Sequence, residues 1–70
     1  MKRIIELRCT CAACPEQWEG KLETGESLYA RERSGWMRVD LDEVTIHEEA
    51  GEDVLDLLGR LFRIACKPEY

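Results

Sequence analysis

The stretch SLYARERSGWMRVDLD, residues 27 to 42, carries the clearest structural pattern in the chain. Its apolar residues alternate with polar or aromatic ones on both sides of Ser34-Gly35: Leu28, Ala30, Met37, Val39 and Leu41. A period of two places such residues on one face of a strand, and Ser-Gly is a turn signal. The stretch therefore predicts an antiparallel hairpin with one apolar face.

Two further strands are predicted before this hairpin. Residues 4 to 9 alternate well enough for a strand with Ile5, Leu7 and Cys9 on one face. Residues 17 to 23 place a second apolar set on one face, namely Trp18, Gly20 and Leu22. Thr24-Gly25 then predicts a turn into the hairpin. Residues 43 to 51 fit either a short fifth strand or the opening of a helix.

From Glu52 onward the apolar period becomes helical. The predicted stripe is Val54, Leu58, Leu61 and Ala65, widened by Leu55, Phe62 and Cys66. Acidic residues in the first turns favour the positive end of the helix dipole, and Lys67-Pro68 is expected to end the helix. Gly59 inside the helix is expected to allow close approach to the sheet.

These elements predict a small α+β domain spanning residues 1–70, an antiparallel β-meander of four or five strands packed against one C-terminal amphipathic helix. A chain of this size buries only about 60% of its unfolded surface, so a metal or a partner subunit would help to stabilise it. Its apolar runs are too short to span a membrane, and its N-terminus does not resemble a signal peptide. We therefore expect a cytoplasmic protein.

The four cysteines are Cys9, Cys11, Cys14 and Cys66. In a reducing compartment they are more consistent with metal binding or free thiols than with disulfides. Four thiolates suit tetrahedral zinc, which gives one structural hypothesis. The alternative places Cys9 and Cys66 in the core and Cys11 and Cys14 in a loop. The Cys11 to Cys14 spacing lacks the helical context of a thioredoxin-like pair and matches no common iron–sulfur run.

The sequence does not predict an enzyme. His47 is the only histidine, and it lies in an acidic segment where a solvated surface position is expected. We identify no nucleophile–base set, phosphate-binding glycine loop or isolated carboxylate pair. The sequence therefore favours a binding or structural role, with no catalytic residues.

Charge is distributed very unevenly in this chain of net charge −5. Residues 39 to 59 include no Lys or Arg but eight acids: Asp40, Asp42, Glu43, Glu48, Glu49, Glu52, Asp53 and Asp56. Such a segment suits a protein partner with a basic surface and disfavours nucleic acid. The alternative is a solubilising surface with favourable helix-dipole placement.

A smaller basic and aromatic set is predicted on the open face of the sheet: Tyr29, Arg31, Arg33, Trp36 and Arg38. Aromatic rings interleaved with arginines can stack bases and hold phosphates, which suggests a single-strand nucleic-acid binder as a further alternative. Cross-strand cation–π packing explains the same residues without a ligand. Because Glu19, Glu23 and Asp40 dilute the set, protein binding is the preferred hypothesis.

Residues 14 to 39 resemble a pattern in small uncharacterised phage and bacterial proteins. The matching parts are Cys14-Pro15-Glu16-Gln17-Trp18, Gly25, and the run from Tyr29 to Val39. The resemblance implies a phage or mobile-element setting and no known activity, and it includes Cys14 alone among the cysteines. Short acidic proteins in that setting are often inhibitors of a host machine, as anti-CRISPR proteins are.

The sequence thus leads to a non-enzymatic acidic protein-binding module, of the phage-inhibitor type, that docks on a nucleic-acid-binding host protein. A small zinc-binding domain with a structural or regulatory role is the alternative, and a single-strand nucleic-acid binder is a third. The sequence leaves a homo-oligomer open.

Overall fold

The computed structural model describes residues 1–12 and 16–70, which form six strands and one helix. In chain order these are β1 (Arg3–Cys11), β2 (Glu16–Leu22), β3 (Ser27–Arg33), β4 (Trp36–Leu41), β5 (Val44–Ala50), α1 (Val54–Leu61) and β6 (Arg63–Ile64). The strands lie in one sheet in the order β5-β4-β3-β2-β1-β6. Neighbours are antiparallel except β1 and β6, which are parallel, so the sheet is mixed. The predicted α+β class is confirmed, but the prediction of four or five strands omitted β6.

The β3–β4 hairpin has the predicted faces and turn. Leu28 pairs with Leu41 and Ala30 pairs with Val39, and all four are buried. The connecting turn, residues 34 and 35, has φ angles of 53° and 78°. Two consecutive positive φ angles define the tight turn whose twist matches that of the flanking strands.

One face of the sheet and one face of α1 form the core. From α1 the core receives Val54, Leu57 and Leu58, which are at most 1% exposed. The sheet and the residue after the helix supply the other buried apolar side chains: Ile4, Leu7, Trp18, Leu22, Leu28, Ala30, Met37, Val39, Leu41 and Phe62. No residue of β5 belongs to this core, so β5 extends beyond it.

A bulge in β1 overturns the predicted face of Ile5. Ile4 pairs with Leu22 and Glu6 pairs with Lys21, so β1 contains one extra residue at this point. The extra residue shifts the alternation, so Ile4 and Leu7 are both buried while Ile5 is 47% exposed. The prediction that Ile5 shares the face of Leu7 and Cys9 was therefore wrong.

The same bulge requires glycine at position 20. A Cβ atom on Gly20 would overlap the carbonyl oxygen of Glu6 and press on the Cα atom of Leu7. Backbone atoms in a sheet cannot move aside as a flexible side chain can. Glycine is the one residue type that permits this close approach between β1 and β2.

The helix is shorter than predicted, because it ends at Leu61 rather than at Lys67-Pro68. Phe62 is extended, with φ −137° and ψ 169°, and its N–H donates to the Leu58 carbonyl. The following residues then line the outer side of β1. The N–H groups of residues 63, 65 and 69 donate to the carbonyls of residues 2, 4 and 7, each at 2.9 Å. The hydrogen bonds that these residues form with β1 stabilise the fold more than further turns of the helix would.

The apolar pattern after the helix is also compatible with a strand. Phe62 is buried, and Ile64 and Cys66 are half-buried against the core, which is a period of two. Ala65, predicted on the helical stripe, is exposed. Ile64, which the predicted stripe omits, pairs with Ile4.

Gly59 does not lie against the sheet. It is exposed, and a Cβ atom added there would meet no atom within 4 Å. The predicted close approach was therefore wrong, and this glycine weakens α1 without a packing reason.

The two glycines give a matched pair of substitutions. Gly59→Ala should raise the free energy of unfolding by about 0.5–1 kcal/mol, because alanine costs less conformational entropy in a helix. Gly20→Ala should lower it by at least about 1–3 kcal/mol, because the new methyl group overpacks against backbone. Urea unfolding at neutral pH measures both. If both substitutions raised or both lowered the free energy of unfolding, the assignment of Gly20 to a close backbone approach and of Gly59 to an open helix position would be contradicted.

Candidate functional site

The two sides of the sheet end differently. Next to β1, residues 63 to 69 supply backbone hydrogen bonds along the strand, including one from the Cys9 N–H to the Glu69 carbonyl at 2.7 Å. At the opposite side, β5 pairs with β4 and with no other strand in the described part of the chain. A seven-residue strand therefore presents one side of its backbone.

The direction of the β5 backbone groups follows from one hydrogen bond. The Gly51 N–H donates to the Gly35 carbonyl at 2.9 Å, so residue 51 faces β4. The direction of the backbone N–H and carbonyl groups alternates from one residue of a strand to the next. The groups of Glu49 therefore face β4, while those of Glu48 and Ala50 face away from it. We call this outward side of β5, with the backbone groups of Glu48 and Ala50, the open edge.

Apolar side chains are exposed on β5 and beside it. Val44 is 63% exposed and Ile46 is 46% exposed, and Trp36 at the end of β4 is 50% exposed. A bulge lies at residue 46, because Val39 pairs with His47 and Asp40 pairs with Thr45. Bulges and charged residues commonly limit the pairing of an edge strand with other chains, and β5 has both.

The predicted acidic residues include two groups that bracket β5. Asp42 and Glu43 form the tight β4–β5 turn, with φ angles of 48° and 68°. Asp42 also accepts a hydrogen bond from the Ser27 N–H at 2.9 Å. At the other end of β5 lie Glu52 and Asp53, and Asp53 caps α1 by accepting from the Asp56 N–H at 3.0 Å. All four side chains are exposed.

Two other predicted acids lie on the outer face of the sheet, the face away from α1. Glu48 accepts a hydrogen bond from the Trp36 indole N–H at 3.0 Å. Asp40 is buried, accepts from the Thr45 hydroxyl at 2.8 Å and lies 3.4 Å from Arg38 Nε. Asp40 is therefore committed to the fold rather than presented to solvent.

Glu49 and Asp56 belong to a polar cluster between β5 and α1. Arg60 binds Glu49 through both terminal nitrogens, at 2.6 and 3.2 Å, and binds Asp56 through Nε at 3.1 Å. His47 is half-buried and belongs to the same cluster, since its Nε2 atom lies 2.8 Å from Glu49 Oε1. These contacts stabilise the charged form of the glutamate, first through Arg60, and lower the pKa of Glu49 to about 2.

Sequence reasoning missed the role of Arg60. It lies one residue beyond the acidic stretch that ends at residue 59, and its i,i+4 spacing from Asp56 was an available signal. Its two carboxylate partners raise the pKa of Arg60, Glu49 having the larger effect. Within the described chain, the cluster holds the β5 end of the sheet to the helix.

The predicted aromatic and basic residues do share one face. The pairs Arg31 with Arg38 and Arg33 with Trp36 are directly opposite across β3 and β4. Tyr29 on the same face lies between Glu19 of β2 and Asp40 of β4. Acidic neighbours therefore interrupt this face. At the end of this face near the β4–β5 turn, a hollow of about 410 Å³ is lined by Glu19, Ser27, Leu28, Tyr29, Asp40 and Glu43.

Two of the predicted zinc ligands, Cys9 and Cys66, are half-buried against the core. Burial, together with Glu6 and Glu69, raises the pKa of the Cys66 thiol. Cys11 is also half-buried, whereas Cys14 lies outside the described residues. Among residues 1–12 and 16–70, no three His, Cys, Asp or Glu side chains are grouped to hold a metal ion. The four-thiolate zinc site includes Cys14 and stays a prediction.

Comparisons of the chain with protein-family models, with curated proteins and with solved structures found no match. No helix in the described ranges is long and apolar enough to cross a membrane.

The Glu49 cluster predicts a specific pH dependence. The pKa of Glu49 is lowered from 4.5 to about 2 in the fold, so its contribution to stability is present above pH 4.5 and is lost as pH falls toward 2. Near pH 6, wild type should have a higher free energy of unfolding than Glu49→Gln. The difference should be modest, because solvent and salt screen a partly exposed ion pair, and it should vanish near pH 2.

Urea unfolding of both proteins across this pH range measures the difference. Glu52→Gln is the control, because Glu52 is exposed beyond the end of β5. It should show a smaller difference from wild type at pH 6. A Glu49→Gln difference that did not change between pH 6 and pH 2 would contradict the assigned ion pair.

Proposed function

We propose that this protein is a non-enzymatic protein-binding module that docks its acidic side on the basic surface of a nucleic-acid-binding protein. The observation that carries the proposal is the acidic stretch from 39 to 59, whose exposed acids lie at both ends of β5, on β5 itself at Glu48 and on α1 at Asp56. A surface of one charge sign attracts the opposite sign and speeds association. Grooves that hold nucleic acid are basic, so they are complementary to this side.

The contacts distinguish acids that support the fold from acids that are suited to a partner. Asp40 is buried, and Glu49 is held by Arg60. Glu43 and Glu52 are exposed at opposite ends of β5. Glu48 is exposed on β5 between them, so docking of a basic surface would use the ends of β5 together with this residue.

The hollow near the β4–β5 turn supports the same partner chemistry. Besides Asp40, which the fold already engages, its lining includes the acidic residues Glu19 and Glu43 and the aromatic residue Tyr29. Carboxylates and an aromatic face both attract a lysine or arginine side chain. A basic side chain of the partner fits this lining better than an acidic one.

The setting we propose is a phage-type inhibitor in the cytoplasm. This part of the proposal rests on the resemblance of residues 14 to 39 to small phage and bacterial proteins. Inhibition would follow from competition with nucleic acid for the basic groove, without catalysis.

Charge reversal tests the proposal. The double variant Glu43→Lys/Glu52→Lys should reduce capture of basic proteins from a nuclease-treated bacterial lysate, and capture by wild type should fall as salt rises. For a purified captured partner, the double variant should slow association by about tenfold at low salt, because steering depends on local charge. Surface plasmon resonance measures this rate.

The control is Glu23→Lys/Glu69→Lys, which makes the same change in net charge at two exposed acids outside the 39–59 stretch. Equal slowing by the two double variants would refute a role for the acidic stretch. Loss of binding to a single-stranded oligonucleotide in Trp36→Ala, with no effect of the acid reversals on protein capture, would favour the nucleic-acid alternative.

A further inference from the structure

We propose that the open edge of β5 binds an extended segment of the partner by strand addition, and that this segment carries lysine or arginine on alternate residues. The inference rests on the proposed function, because it names the form of the same partner. It would explain how a chain with a small core makes a specific contact through its backbone as well as its charge.

The first support is the contrast between the two ends of the sheet. On β1, four hydrogen bonds between backbone groups of residues 2 to 9 and those of residues 63 to 69 complete the strand. On β5, the groups of Glu48 and Ala50 face away from β4, and both residues are exposed. Both residues lie on the regular part of β5 beyond the bulge at residue 46, and each can offer one N–H and one carbonyl to an added strand.

The second support is the charge beside the edge. Glu48 lies on the outer face, and Glu43 and Glu52 lie near the two ends of β5. On the other face, Arg60 already pairs with Glu49. Basic side chains of an added strand would therefore point to the outer face, next to Glu48.

The third support comes from apolar exposure. Val44 pairs with Leu41, so it lies on the core-facing side of the sheet, yet it is 63% exposed. An added strand with apolar residues on that side would cover it. The partner segment that fits is thus amphipathic with a period of two: basic toward the outer face and apolar toward the core side.

A second copy of this chain fits the edge less well. Two β5 strands side by side would bring together the acidic residues that flank each of them, and like charges in close contact are unfavourable. The protein partner with a basic segment is therefore the occupant we infer, and self-pairing is an outcome that the test can detect.

The test uses the full chain labelled with ¹⁵N and a capped peptide with the sequence Lys-Val-Lys-Val-Lys-Val-Lys. At a peptide concentration of about ten times its Kd, amide exchange at Glu48 and Ala50 should slow by about tenfold, because each opening requires the peptide to leave. The chemical shifts of the Cys9 and Ala65 amides, which are bonded within the chain on the β1 side of the sheet, should not change.

Two matched controls separate backbone pairing from charge. Two N-methylated versions of the peptide, one methylated on the odd-numbered amides and one on the even-numbered amides, keep its charge but lose donors. The version that loses the donors facing β5 should bind at least about tenfold more weakly than the unmodified peptide. In the protein, Glu48→Lys should weaken peptide binding more than Glu23→Lys does, since Glu48 lies on β5 and Glu23 follows β2.

Binding of the peptide without slower exchange at Glu48 and Ala50 would overturn strand addition and leave the proposed function standing. Absence of peptide binding would also overturn it. Protection of the same amides that grows with protein concentration in the absence of peptide would show self-pairing and would likewise refute the inferred occupant. Failure of the proposed function is recognised separately, by capture that is insensitive to the acid reversals.

Discussion

The backbone hydrogen bonds between the C-terminal segment and β1 are the constraint on which the rest of the structure depends. The Arg63 and Ala65 N–H groups donate to carbonyls just before and within the start of β1, and the Glu69 N–H and carbonyl pair with its middle. A meander has two edges, and each edge strand carries unpaired backbone groups. By covering β1, the segment determines where α1 ends and leaves β5 as the exposed side of the sheet.

Packing follows from this arrangement. Because the chain must return to β1 after the helix, α1 has only eight residues, and it buries Val54, Leu57 and Leu58 over the centre of the sheet. Helix and core do not extend over β5, where the bond between Glu49 and Arg60 replaces apolar contact. An ionic contact tolerates solvent, so β5 is held in place while its outward side stays accessible to solvent.

Much of this fold is predictable from local pattern. The hairpin of residues 27 to 42 has a regular period of two and a turn with the right residues, so its faces were predicted correctly. Ile5 was misplaced because a bulge shifts the period, and the signal for it, Gly20, lies on the neighbouring strand. The end of the helix was missed because residues 62 to 66 are compatible with both periods, and a non-local pairing with β1 decides between them.

The candidate site was less predictable than the fold. The acidic stretch is visible in the sequence, but which of its acids remain exposed and unpaired depends on contacts across the sheet and with α1. Asp40 and Thr45 meet through strand register, and Glu49 meets Arg60 through packing of the helix on the sheet. Neither contact has a sequence signature beyond charge. The exposure of β5 likewise depends on which strand the C-terminal segment pairs with.

Amide hydrogen exchange in the free protein tests the central claim, that the chain completes the β1 edge and leaves the β5 edge open. NMR at low protein concentration should show slow exchange at Cys9, Ala65 and Gly51, whose N–H groups donate to carbonyls within the chain. Glu48 and Ala50 should exchange at close to the rate of an unfolded peptide, although Ala50 is adjacent to protected Gly51. Exchange at Glu48 and Ala50 as slow as that at Gly51 would contradict the account.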